Sequence, residues 1–331
     1  MNWAGRNVLV TGAGGFIGSH LVEELVARKA NVRCLVRYNS RGSLGWLEDI
    51  GREAYGAIEI VQGDLRDADT VLAAVKDRSV VFHLGAIISI PFSYVAPGEV
   101  VAVNIDGTLN VLNACRTVGV ERVVHTSTSE VYGTAQFVPI DESHPLQGQS
   151  PYSASKIGAD KLAESYYLSF NLPVTTVRPF NTFGPRQSAR AVIPTIMVQM
   201  LTKAAVSLGS LTPTRDFTFV TDTVAGMIRA VEAPDSVGRT INLGSGREIS
   251  IGQLVEAIAR ISGKKIEVEV QELRLRPKNS EVKRLLSDNR LARNVMGWQP
   301  AVTLDEGLLQ TLRWIEGRLD LYRRAQSEYI V

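Results

Sequence analysis

The sequence predicts an α/β fold: a doubly wound parallel sheet over residues 1–180 and a smaller α+β lobe over 181–331, with some later segments crossing back. Three observations carry this. Six short runs, at 7–11, 32–36, 58–61, 80–84, 122–126 and 174–177, are almost continuously apolar and rich in β-branched residues, which suits parallel strands covered on both faces. Longer stretches with helical spacing separate them. Ile17, Leu21, Leu25 and Val26 make one apolar face, and Val103, Leu109, Leu112 and Val118 help to make another. After about residue 180 the alternation stops. Repeated strand–helix units imply right-handed crossovers.

The first run ends in TGAGGFIG and passes at once into an amphipathic stretch, so that Gly12, Gly15 and Gly18 form a GxxGxxG array. Small residues there permit a tight turn, let backbone N–H groups approach a pyrophosphate and let the helix lie close on its strand; the helix N-terminus adds positive partial charge. The array falls at the first strand–helix junction, the place a dinucleotide demands, and makes the sheet Rossmann-type. Phe16 and Ile17, inside the array, are further candidate contacts. The second run leads into VRYNSR, with no acid to hold a ribose 2′-hydroxyl. Arg37 and Arg41, with Ser40, are suited to bracket a 2′-phosphate, which favours NADP over NAD; the alternative is a solvated basic loop. After the third run, Asp64 either meets the adenine or is a loop carboxylate near a helix cap. Leu65 beside it, and Leu84 and Ala86 at the end of the fourth run, complete the candidate cofactor contacts.

The fifth run ends in TSTSEVYG (126–133), beyond the carboxyl end of a strand, where ligands of open α/β sheets bind. Tyr152 and Lys156 stand four residues apart in YSASK, on one face of a helix. The ammonium and the cofactor's positive nicotinamide are expected to lower the phenol's pKa, so that Tyr152 acts as a base toward a sugar hydroxyl. Glu130 is the informative neighbour: hydride transfer alone needs no carboxylate, whereas removing a proton beside a ketone does. In the second lobe the pattern gives helices near 191–203, 221–233 and 250–261, strands at 240–243 and 266–270, and two terminal helices.

Composition narrows the partners. A formal charge of +2 gives no strong field toward nucleic acid or an anionic membrane, and no run of apolar residues is long enough to span a bilayer. The two cysteines, Cys34 and Cys115, lie in apolar segments outside any CxxC, and the four histidines are scattered, so neither a disulfide nor a metal site is expected. With no signal-peptide pattern at residues 1–10, a cytoplasmic location is expected.

TGAGGFIG, STSEVYG, YSASK, RPFNTFGPRQ, RDFTFVTD and MGWQP together resemble the extended short-chain dehydrogenase/reductase family of nucleotide-sugar epimerases, 4,6-dehydratases and decarboxylases, over roughly residues 5 to 316. VRYNSRG, SYVAP, HPLQGQSPYSASKIGADKLAES, IPTI, SLTPTRD and RPKNSEV more narrowly resemble the 4,6-dehydratases of the legionaminic-acid pathway, which act on a nucleotide-linked N-acetylglucosamine. The resemblance implies that Thr128 binds the sugar O4, Tyr152 takes its proton, Lys156 holds Tyr152 and the nicotinamide ribose, and Glu130 removes the C5 proton before water leaves C6. It also implies substrate contacts at Asn181, Arg186, Arg215 and Arg276, and a homodimer built through helices near 98–118 and 151–170. Ser129 departs from the aspartate that dTDP-glucose dehydratases carry before the glutamate, which leaves the acid for the C6 hydroxyl to Glu130 itself or to a relay through Ser129. Ile88, Ile90 and Phe92 show no basic residue for a sugar carboxylate and disfavour a UDP-glucuronate decarboxylase. A 4-epimerase, which needs no Glu130, is the main alternative; a non-catalytic dinucleotide sensor is a remote one.

Overall fold

The computed structural model describes residues 1–265, 267–271 and 279–327, with side chains described as far as Arg323. Its first half alternates β1 (Asn7–Thr11), α1 (Phe16–Ala27), β2 (Asn31–Val36), α2 (Arg52–Gly56), β3 (Ile58–Gln62), α3 (Ala68–Val75) and β4 (Val80–His83). There follow α4 (Ile90–Val95), α5 (Pro97–Val101), α6 (Gly107–Val118), β5 (Arg122–Thr126), α7 (Pro151–Phe170) and β6 (Val174–Pro179). The later part holds β7 (Asn181–Phe183), α8 (Val192–Thr202), β8 (Ala205–Leu208), β9 (Thr214–Phe219), α9 (Val220–Glu232), β10 (Thr240–Leu243), β11 (Glu248–Ser250), α10 (Ile251–Ser262), β12 (Glu267–Val270), α11 (Arg290–Met296), α12 (Leu304–Glu316) and α13 (Leu319–Ser327).

Seven parallel strands form the large sheet in the order β10-β6-β5-β4-β1-β2-β3. Sequence order reverses between β1 and β4, and at such a switch point the strand ends diverge to leave a crevice. The central strands β1 and β4 to β6 are buried almost throughout, which is why they read as apolar runs. α7 has a strong start: Ser150 caps it and exchanges bonds with Ser153, with Pro151 in the first turn, and Asn171 ends it in the left-handed region. Two small sheets complete the molecule, β11-β9-β7 and β12-β8.

After residue 180 the chain does not stay apart. β10 returns to the large sheet beside β6, and α9 packs against α1, β5 and β6. One apolar cluster therefore runs from Val8 and Phe82 to Phe217, Leu254 and Leu312. The strand read at 80–84 ends at His83, because Leu84 turns away into the site loop. The helix expected near 98–118 is in three pieces: α5, a wider π-type turn at Ala102–Asp106, and α6. Both cysteines are free and buried; burial pushes the Cys34 thiol up to about 12 and that of Cys115 upward too. Among the described residues, no helix is long and apolar enough to cross a membrane, and no group of three or more His, Cys, Asp or Glu is placed to hold a metal.

Candidate active site

The glycine turn between β1 and α1 is packed to its limit. Gly12 sits at φ +68°, and a Cβ there would lie 2.8 Å from the Gly85 backbone nitrogen; one on Gly18 would lie 2.2 Å from the Gly12 carbonyl oxygen. Gly15, at the helix start, brings no side-chain cap, so the first-turn N–H groups of Phe16, Ile17 and Gly18 face outward from the sheet's carboxyl edge. This shape fits a dinucleotide pyrophosphate. Thr11 fixes one wall by hydrogen bonds to His83 at 2.8 Å and from the Gly85 N–H at 3.0 Å. Leu65, Leu84 and Ala86 are half-buried around it. Gly18→Ala should therefore destabilise the fold by about 1–3 kcal/mol and weaken NADH binding by at least about tenfold. Thermal unfolding and NADH fluorescence titration test this; an unchanged affinity would show that the close approach has no bearing on the dinucleotide.

Beyond β2 the chain turns on Asn39, whose side chain donates to the Ser43 carbonyl and accepts from the Arg41 and Ser43 N–H groups. That turn holds Arg37, Ser40 and Arg41 exposed. Asp64 is gripped by the Arg66 guanidinium at 2.6 and 3.0 Å, which holds its carboxyl below the usual range. It lies in the loop near a helix cap: Asp67, three residues on, caps α3, accepting from the Asp69 N–H and the Thr70 hydroxyl.

At the end of β5, Thr128 opens a single 3₁₀ turn, Ser129–Tyr132, and its hydroxyl accepts from the Glu130 N–H at 3.2 Å. Gln147 and Gln149, on the way into α7, bind the Val131 carbonyl and the Thr134 N–H, so the two segments carrying the candidate groups are stitched together. The Tyr152 phenol bonds the Thr128 side chain and feels the Glu130 charge. Thr128, Glu130 and Tyr152 thus meet at one point, with Thr128 and Glu130 half-exposed and Ser129 only 2% exposed. The Lys156 ammonium donates to the Thr126 carbonyl at 2.8 Å. Burial pushes it down to about 8, opposed by Asp160. In the protein alone burial raises the Tyr152 phenol, Glu130 and Asp160 add to the rise, and the Thr128 bond offsets only part.

Beneath these groups lie side chains that the sequence reading did not single out. Asn104, in the π-type turn, accepts from the Ile87 N–H and donates to the Ile87 carbonyl and the Ser155 hydroxyl, which fixes the loop after β4 against α7. Asp160, one turn beyond Lys156, takes bonds from His125, Ser127 and Arg178. Arg178 also donates to the Tyr132 hydroxyl, which donates on to Asn242.

The substrate candidates fall in different places. Asn181 on β7 and Arg215 on β9 belong to neighbouring strands, Asn181 pairing with Phe217, two residues past Arg215. The Asn181 Oδ1 is buried without a hydrogen-bond partner. Arg215 is held by the Thr214 carbonyl and by Glu281 at 3.1 Å. Arg186, expected at the substrate, is instead committed to the frame: buried, it pairs with Glu23 of α1 at 2.7 Å and lies over Trp314 of α12. Arg276 lies outside the described residues.

A family profile described as GDP-mannose 4,6 dehydratase matches residues 9–311. The chain belongs to the extended short-chain dehydrogenase/reductase family of nucleotide-sugar epimerases and dehydratases. It is 36% identical over 317 residues to a UDP-glucose 4-epimerase of Mycolicibacterium smegmatis, covering 94% of this chain and 98% of that one. It is similar to the solved UDP-N-acetylglucosamine 4-epimerase of Methanobrevibacter ruminantium in complex with UDP-N-acetylmuramic acid, at TM-score 0.86 and 30% identity over 95% and 99% of the two chains. It is similar also to DesIV of Streptomyces venezuelae, a dTDP-glucose 4,6-dehydratase with NAD bound, at TM-score 0.85 and 26% identity over 96% and 99%. This family member is thus a nicotinamide-dinucleotide enzyme acting on nucleotide sugars, and its relatives divide between 4,6-dehydratases and 4-epimerases.

Proposed function

We propose that the protein is a 4,6-dehydratase that converts a UDP- or GDP-linked N-acetylglucosamine to its 4-keto-6-deoxy derivative. The observation that carries this is Glu130, a half-exposed carboxylate close enough to the Tyr152 phenol to raise it, in a site where oxidation of C4 alone needs no carboxylate. The dinucleotide, when bound, supplies a hydride acceptor for C4 and a donor for C6. Thr128 hydrogen-bonds O4, and Tyr152 removes the O4 proton. The new ketone acidifies C5–H, and Glu130 takes that proton. As water departs from C6, Glu130 returns the proton to it, because buried Ser129 is a poor acid and has little access to the sugar; when C6 regains a hydride, C5 takes up a proton from solvent, matched by the O4 proton that Tyr152 releases, so that the net loss is one water. Asn181, Arg215 and Arg276 serve the diphosphate, and residues 181–331, less the segments that cross back, serve as the substrate lobe.

The N-acetylglucosamine assignment, and with it a place in legionaminic-acid synthesis, rests on the sequence resemblance. Incubation with UDP- and GDP-N-acetylglucosamine, followed by NMR of the product, tests it: a C6 methyl doublet beside a C4 ketone is expected, and a C4-inverted hexosamine would favour the epimerase reading. That second reading draws support from the 36% identity to the mycobacterial 4-epimerase. A decarboxylase draws none, since Ile88, Ile90 and Phe92 put apolar groups after β4 where a sugar carboxylate would need a cation.

NADP is the proposed cofactor, although the solved relatives DesIV and MoeE5 hold NAD. The exposed Arg37–Ser40–Arg41 turn supports it, with no acid to repel a 2′-phosphate. The double variant R37A/R41A should weaken NADPH binding by about tenfold or more, from two lost charge-assisted contacts, and leave NADH nearly unchanged. Equal effects on both would assign the arginines to a solvated loop. A cytoplasmic homodimer is also proposed. Leu168, 70% exposed, and Phe170, with Arg116 of α6 stacked over it at 3.9 Å, give α6 and α7 a partly apolar outer face that pairing would cover.

A further inference from the structure

Asp160 and Arg178 are buried at 4% and 5% exposure and touch neither the glycine turn nor the Thr128–Glu130–Tyr152 cluster. One carboxylate oxygen accepts from Arg178 Nη2 at 2.9 Å, Arg178 Nε at 3.1 Å and the Ser127 hydroxyl at 2.8 Å; the other faces His125 Nε2 at 3.1 Å. His125 belongs to β5, Ser127 follows its last residue and Arg178 belongs to β6, while Asp160 belongs to α7. The strand end that leads to Thr128 and Glu130 is therefore held from α7 twice, through Asp160 on Ser127 and through Lys156 on the Thr126 carbonyl. Such a buried charge is tolerated only because it is paired and multiply hydrogen-bonded.

The pair also sets the electrostatics of Lys156. His83 of β4, His125 of β5 and Asp160 of α7 interact with that ammonium, Arg178 of β6 reaches it through Asp160, and Glu130 and Tyr152 stand at the end of β5 and on α7. Burial keeps both histidines below their usual range and hence neutral, with Nε2–H of His125 turned to Asp160. Asp160 is the charge that opposes the desolvation of Lys156. Burial alone would raise Asp160, but the His125 bond and the Arg178 and Lys156 charges hold it at about 2.

We propose that Asp160 and Arg178 are positioning residues for the oxidation step: Asp160 keeps Lys156 as an ammonium, Arg178 limits how strongly it does so, and together they lock α7 to the strand end bearing Thr128 and Glu130. This rests on the Tyr152–Lys156 half of the reading above and not on the elimination. The test is accordingly made without a sugar nucleotide, so that the dehydratase reading and this one fail separately. Affinity for NADH is measured by fluorescence against pH for the parent, Asp160→Asn and Arg178→Gln. Lys156 is charged below its midpoint, so parent affinity should fall as pH rises through about 8. Removing the negative charge should move that fall about one pH unit or more lower. Removing Arg178 leaves Asp160 less neutralised and should move it higher. Damage to packing alone would weaken both variants at every pH and would not displace them in opposite directions. Displacement in the same direction, or none, overturns the proposal. If Asp160→Asn does not fold, Arg178→Gln decides alone, an upward move supporting the proposal and any other result overturning it. If neither folds, the pair belongs to stability and the proposal falls.

Discussion

Glu130→Gln should give an enzyme that reduces its dinucleotide when substrate is added and then stops. The side chain keeps its size, and no ion pair involving Glu130 is formed among the described residues, so stability should change by no more than about 0.5 kcal/mol. The Thr128–Tyr152 bond, which the oxidation uses, is left in place. What is lost is the base proposed to act at C5. General acid–base groups contribute about 10²–10⁴-fold to rate, and here one group takes the C5 proton and returns it to the C6 hydroxyl, so formation of the 6-deoxy product should fall toward the upper end of that range. The expected record is absorbance at 340 nm that appears on mixing and persists, with no product in the NMR spectrum. If 340 nm absorbance and product are lost together, the carboxylate acts in the oxidation and the elimination scheme fails. If 6-deoxy product still forms at the parent rate, another group removes the C5 proton and Glu130 loses its role; if the parent and the variant alike give only a C4-inverted sugar, the 4-epimerase reading gains, because that reaction has no use for a proton acceptor at C5.

Much of this molecule is legible in its sequence, and the parts that are not share a cause. The strands of the first half announce themselves because both faces of each are buried, so burial writes itself as an apolar run. β9 does not, although five of its six residues are buried, because Arg215 and Asp216 stand among them. Their partners include Glu281, Ser245, Gly246 and Ser287, all distant in sequence. A pattern of local polarity reads such a strand as a loop. The long stretch near 98–118 reads as one helix because its apolar face continues, while the π-type turn that interrupts it is recorded only in the bonds of Asn104 to Ile87 and Ser155. The same divide runs through the site. Thr128, Glu130, Tyr152 and Lys156 are visible as short motifs at strand and helix ends. Asp160 and Arg178 are not, since a carboxylate in a helix and an arginine near a strand end read as solvated until their 2.9 Å contact is seen. Arg186 is the reverse case, an arginine in a conspicuous motif whose charge is taken up by Glu23.

Tyr152→Phe should stop the reaction one step earlier than Glu130→Gln does. The phenol is 7% exposed and burial raises it, so it gives up its proton reluctantly in the protein alone. Its value as a base comes from position: it shares a hydrogen bond with Thr128, the residue proposed to hold O4, and stands on the same helix face as Lys156. Phenylalanine keeps the ring and its packing and removes one hydroxyl, at a stability change of about 1 kcal/mol. With no group to accept the O4 proton, hydride cannot leave C4 at a useful rate, and a loss of about 10²–10⁴-fold is expected. Here the 340 nm signal and the product should disappear together, in contrast to Glu130→Gln, while NADH binding, which depends on the glycine turn and Lys156, should change by less than about threefold. In the double variant Y152F/E130Q the rate of dinucleotide reduction should match that of Y152F alone, because the carboxylate acts only after the ketone exists. A Tyr152→Phe enzyme that still reduced its dinucleotide at the parent rate would remove Tyr152 from the reaction and pass the role of base to another group at the Thr128 hydroxyl.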